Sequence, residues 1–213
     1  MKFITFIWIP KCAGTTIDRH FNLDHQVGNS SFQYNFNNNR SVTFGHADIN
    51  IILQKKIISN IFYQNSFKFC IVRNPYDRAV SLFHYLIKMN NLDKKYSFDN
   101  WVKYLYENKQ NIPKNNHHNI VKNGLINNQW NLMSTWIPNT IDKIYFFEDG
   151  LKNIINDINI NIENNKNNIF PIKKRNNSNH KKYKHYYQNK ITREYIYEIY
   201  EKDFIRFNYS KNI

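Results

Sequence analysis

Three short runs of apolar, β-branched and aromatic residues stand out from a polar chain: Phe3–Ile9, Phe67–Val72 and Lys143–Phe147. Each is short, and each predicts a buried strand. Between them the apolar spacing changes to the helical repeat. Ile17 and Phe21 follow a Gly/Thr turn and predict a helix start, whereas residues 22–40 are Asn-rich and predict a loop. From Asp48, the positions Ile49, Ile52, Leu53, Ile57 and Ile61 predict one amphipathic helix. Asn74-Pro75 supplies an N-cap and a first-turn proline for a helix running to about Met89. Further helices are predicted over Phe98–Asn108, around Asn128–Trp136 and from about Gly150 to Ile158. The stretches Lys109–Gly124 and 159–168 read as loops. The chain closes on a helix whose apolar stripe is Ile196, Ile199, Tyr200, Phe204 and Phe207.

Strands alternating with helices predict an α/β fold with a mostly parallel central sheet flanked by helices. Ligands of such sheets bind at the carboxyl ends of the strands. The length of 213 residues fits a single domain, 1–213, with a sizeable core. A hydrophobic fraction of 41% and an aromatic fraction of 16% exclude general disorder. No apolar run approaches the roughly 18 residues of a membrane helix, and Met1–Ile9 runs into Pro10-Lys11 without a signal-peptide cleavage pattern. Cys12 and Cys70 are too few for a disulfide framework or a zinc site, so a cytoplasmic setting is expected. The formal charge of +14 directs attention to anionic ligands. The abundance of Asn, Ile, Lys, Tyr and Phe is also the signature of AT-rich coding, so the charge alone does not imply nucleic-acid binding.

Two motifs sharpen the anion argument. Pro10-Lys11-Cys12-Ala13-Gly14-Thr15-Thr16 ends the first strand and opens a helix, where the amides of Gly14, Thr15 and Thr16 are expected to be unpaired and to converge on an anion. Gly14 would admit close approach and the threonine hydroxyls would add donors. It is not a Walker A loop: Lys11 precedes the glycine by three residues, and no lysine follows Gly14. The second predicted strand ends in Arg73 where an NTPase would place a magnesium-holding acid. In Arg73-Asn74-Pro75-Tyr76-Asp77-Arg78-Ala79-Val80-Ser81, Ser81 lies about two helical turns beyond the strand end. A guanidinium fork plus a hydroxyl suits a second phosphate. The alternative is that Arg73 pairs with a helix carboxylate and Ser81 merely packs.

Taken together, the motifs resemble those of the sulfotransferases that use 3′-phosphoadenylyl sulfate (PAPS), particularly the carbohydrate-modifying branch. Residues 9–16 look like that family's 5′-phosphosulfate loop, and Arg73 with Ser81 like its 3′-phosphate site. Arg19-His20 and Gly45-His46-Ala47-Asp48 are similar to segments of heparan-sulfate 6-O-sulfotransferases, Gln129 falls after the long middle loop, and the C-terminal Tyr and Phe pattern to Tyr209 continues the likeness. The resemblance implies a three-layer, P-loop-NTPase-like domain. It also implies PAPS as donor, 3′,5′-ADP as product, no metal, and a hydroxylated acceptor such as a carbohydrate. Residues Lys11, Cys12, Ala13, Gly14, Thr15, Thr16, Arg73 and Ser81 would bind the nucleotide. The Golgi-type members carry a membrane anchor and lumenal disulfides; neither is legible here, so a minimal, soluble version is expected.

Sulfuryl transfer is an in-line displacement governed by positioning and electrostatics. The resemblance gives Lys11 the leaving-group oxygen. The acceptor needs a base near neutral pKa; His46 is expected in that role, with His20 as runner-up. Cys12 is not expected to act as a nucleophile. The basic segment from Lys173 to Lys190 would close on nucleotide or acceptor, or be a solvated charge run; Tyr183, Tyr186 and Tyr187 would stack on a ligand or pack on the core. A nucleotide kinase and a non-catalytic basic polyanion-binding module are the competing readings.

Overall fold

The computed structural model describes residues 2–25, 40–45, 48–112, 128–163 and 181–213. Five parallel strands form its sheet: β1 (Ile4–Ile7), β2 (Asp24–His25), β3 (Val42–Thr43), β4 (Phe67–Val72) and β5 (Lys143–Phe146), in the order β2-β3-β1-β4-β5. The predicted α/β architecture is observed. β2 and β3 are not predicted, because two residues are too few to show a period.

The helices follow their caps. α1 (Gly14–Phe21) leaves β1, and the expected helix from Asp48 is two: α2 (Ile49–Gln54) and α3 (Asn60–Asn65). The break is a Schellman closure. Ile57 N–H donates to the Ile52 carbonyl at 3.0 Å and Lys56 N–H to Leu53 at 2.9 Å, with Lys56 left-handed at φ 54°. Ser59 then caps α3 through the Phe62 amide. α4 (Pro75–Lys88) starts on Asn74, whose side chain accepts from the Tyr76 amide, with proline in its first turn as predicted. α5 (Phe98–Glu107), α6 (Leu151–Asn161) and α7 (Lys190–Arg206) complete the set, α7 leaving helical geometry at Tyr200.

The sheet packs into one apolar cluster, in which every residue of β1 and β4 is buried. Aromatic residues of α4, α5 and α7 build a second cluster around Trp101 and Trp130, and Tyr209 lies against both. The stripe of α7 is seated there through Ile196, Tyr200 and Phe204, while Phe207 joins the sheet cluster.

Residues 128–136 correct a predicted helix: they form 3₁₀ turns over Asn128–Trp130 and Met133–Trp136. The cause lies far along the chain. The fully buried Asp203 carboxylate accepts from the Met133 amide at 2.6 Å and from the Ser134 amide at 2.9 Å. Those donors are therefore satisfied outside any α-helical ladder. Burial pushes the Asp203 carboxyl above its ordinary range, against the opposing pull of the Ser134 and Met133 amides and of Arg78. Asp203→Ala orphans both amides and is expected to lower stability by about 2–4 kcal/mol, the scale of two unmet buried donors. Urea unfolding measures it.

Candidate active site

From β1 the chain turns toward β2 on one side of the sheet; from β4 it turns toward β5 on the other. β1 and β4 are paired neighbours, with Ile7 opposite Cys70, so their carboxyl ends flank the point where the direction of winding reverses. A crevice opens at such a point in parallel sheets. The two sequence motifs are the two loops on its sides.

The first loop is tightly bent. Lys11 and Ala13 both adopt left-handed backbone, at φ 65° and 66°, a conformation that non-glycine residues hold only when their surroundings enforce it. The enforcement comes from beneath. Arg78, on α4 and 2% exposed, donates from Nε to the Pro10 carbonyl at 3.1 Å and from Nη2 to the Gln129 carbonyl at 2.7 Å. The Cys12 thiol, buried, faces the Pro10 carbonyl at 3.5 Å and Met133 Sδ at 3.8 Å. Burial pushes this thiol up to about 12, so it stays a neutral packing group.

The helix that follows differs from expectation at one amide. The Thr16 amide closes the first turn on the Ala13 carbonyl at 2.9 Å and is thus used within the helix. Gly14, at the first helical position, keeps an amide that no turn of α1 engages. Its missing side chain has a further reason: a Cβ there would overlap the Trp8 indole, which lies across the glycine.

Arg73 forms the second wall. Its Nη1 donates to the Lys11 carbonyl at 3.2 Å, joining the loops directly. Its Nε pairs with Asp77 at 2.8 Å, and the guanidinium lies 4.4 Å from the Phe147 ring centre. The helix-carboxylate pairing weighed as an alternative is therefore present; the Nη2 edge has no protein acceptor among the described residues. The Arg73 amide points at Met133 Sδ at 3.4 Å, and the Asn74 amide donates to Glu148 at 2.7 Å. Ser81 is buried on α4.

Lys11 reaches the same helix. Its ammonium sits 4.1 Å from the centre of the Tyr85 ring, one turn beyond Ser81. Burial first, then Arg73 and Lys88, lowers its pKa to about 8. Lys11 and Arg73 thus gather positive charge between the two loops beside the N-terminus of α1, with Lys88 adding to it electrostatically.

Of the other predicted residues, those that are described fall outside this centre. His46 lies outside the described residues. His20 sits in the last turn of α1, about 9 Å of helix beyond Gly14, edge-on to Phe21, with burial lowering its pKa. Tyr187 is buried in the second cluster and donates to the Tyr76 carbonyl at 2.9 Å; Tyr186, which shares a 2.7 Å hydrogen bond with His84, and Tyr183 pack against that cluster. Residues 173–180 lie outside the described residues; Lys181, Lys182 and Lys190 are exposed. No group of three or more His, Cys, Asp or Glu suited to a metal occurs among the described residues. No helix among them is long and apolar enough to cross a membrane. Met133, Glu148, Asp203 and Trp8 carry no local sequence signal for their parts in the site. The Arg73–Asp77 pair does, in its i,i+4 spacing.

Two outcomes test this geometry. Gly14→Ala should destabilise by about 1–3 kcal/mol through overpacking against Trp8, more than alanine's helix preference returns; urea unfolding reads the difference. For Lys11, the unfolded state keeps its proton to about 10.5 while the native state releases it near 8. Stability from this group therefore rises with pH between those values, and its cost is fully present below them. Lys11→Met should raise the melting temperature at pH 7 and remove that rise, as read by melting curves across pH.

The comparisons agree with the geometry. No curated protein and no solved structure shows significant similarity to the chain. A family model described as the sulfotransferase family matches residues 2–210, nearly the whole length and both loops of the crevice. The chain belongs to the sulfotransferase family.

Proposed function

We propose that the chain is an enzyme that transfers the sulfuryl group of PAPS to a hydroxyl of a carbohydrate or other small acceptor. The observation that carries this reading is the 3.2 Å bond from Arg73 to the Lys11 carbonyl, which makes the two loops walls of one cationic crevice. On this reading residues 1–213 form a single three-layer, P-loop-like domain working in the cytoplasm, a compartment in keeping with two free, buried cysteines.

The residues divide the nucleotide between them. The amide of Gly14, the hydroxyls of Thr15 and Thr16 and the bent backbone of Lys11, Cys12 and Ala13 receive the 5′-phosphosulfate. The Nη2 edge of Arg73 and the Ser81 hydroxyl receive the 3′-phosphate. Asp77 and Phe147 fix the plane of the guanidinium, so its free edge is preorganised. In the reaction a bond forms between the acceptor oxygen and sulfur while the sulfur's bond to the bridging phosphate oxygen breaks. Lys11 meets the charge that gathers on that oxygen, releasing 3′,5′-ADP. His46 takes the acceptor proton. It follows β3, which pairs with β1 and ends at the same edge of the sheet. None of these steps calls on a metal.

Calorimetric titration with 3′,5′-ADP, paired with turnover of PAPS, tests the assignment. Arg73→Ala should weaken nucleotide binding by roughly 2–4 kcal/mol, the scale of a lost charge-assisted contact. Lys11→Ala should reduce turnover more than binding, because its interaction grows as charge develops. Small and equal effects of both would overturn the reading, and His46→Ala with wild-type turnover would remove that residue as the base.

A further inference from the structure

The charge on Lys11 is held under adverse conditions. Its ammonium is largely buried, and the cations Arg73 and Lys88 both act against it. Cys12, the remaining group that acts on it, opposes them and outweighs Lys88, although burial keeps its thiol neutral. No carboxylate acts on Lys11 among these groups. The carboxylate nearest in the motif, Asp77, is committed to Arg73. What faces the ammonium instead is the flat side of Tyr85, 4.1 Å away. A ring at that distance attracts a cation through its quadrupole, most strongly where water is excluded.

Placement reinforces the point. Ser81, Tyr85 and Lys88 recur at i, i+4 and i+7 on α4 and so share a face. Tyr85 therefore anchors Lys11 to the helix that also bears Ser81 and the buried Arg78. We propose that Tyr85 is the positioning residue of the site: its π face keeps the Lys11 ammonium charged and fixed beside the Arg73 loop. The placement stands on the contact itself; its consequence for turnover rests on the function proposed above.

The experiment follows the Lys11 side chain by NMR in ¹³C-lysine-labelled protein, its signal assigned with Lys11→Arg. Tyr85→Phe keeps the ring and should leave the titration midpoint unchanged. Tyr85→Leu should lower it by about 0.5–1 pH unit, the scale of a half-buried cation–π contact. Phenylalanines of rising fluorine content at position 85 keep the shape while draining the ring face, and should lower the midpoint stepwise even where the leucine variant folds poorly. The alkaline limb of the rate profile with PAPS should move by the same amounts. An unchanged Lys11 midpoint across the fluorinated series, or a fall with Tyr85→Phe as large as with leucine, would overturn the proposal. Midpoints that move as stated in a protein that does not turn over PAPS would uphold the contact and overturn the functional reading alone.

Discussion

A guanidinium almost sealed from water must find acceptors and an opposing charge, or the fold cannot contain it. Arg78 meets that requirement by gripping the Pro10 and Gln129 carbonyls, lying 5.6 Å from the Tyr200 ring centre, and acting electrostatically with the buried Asp203. Each partner belongs to a different part of the chain: the loop after β1, the 3₁₀ segment before β5, and α7. The same requirement that satisfies the charge therefore locks these parts together. It also holds the strained backbone of Lys11 and Ala13, since Pro10 is pinned immediately before the bend.

Asp203 extends the lock through Met133. The carboxylate holds the Met133 amide, and the methionine sulfur receives the Cys12 thiol from one loop and the Arg73 amide from the other. Both walls of the crevice rest on one buried side chain, itself held by the last helix. Lys11 and Arg73 are thereby held side by side despite their like charge. The Asp77 carboxylate on Arg73 and the aromatic faces of Tyr85 and Phe147 offset their repulsion.

The sequence made the central strands and α4 legible because their signals are local: continuous burial in β4, and Asn74-Pro75 at the start of the helix. It made the two loops at the ends of β1 and β4 legible because residue type and position coincide there. What it hid depends on partners distant in the chain. The helix expected over 128–136 yields to Asp203, some seventy residues later, which captures its amides. The split between α2 and α3 is closed by Lys56 where glycine is the usual mark, so nothing local announced it. Arg78 looks like any surface arginine until the fold buries it. Gly14 was legible as a glycine, but the reason that it must be one, the indole of Trp8 above it, was not.

The proposed function requires one nucleotide to bridge two loops, and a crystal structure of the chain with 3′,5′-ADP tests that most directly. The 5′-phosphate is expected against the Gly14 end of α1 and the 3′-phosphate against Arg73 and Ser81, with Lys11 between the adenosine's 5′ side and Tyr85. A nucleotide bound elsewhere, or with both phosphates on a single loop, would contradict it.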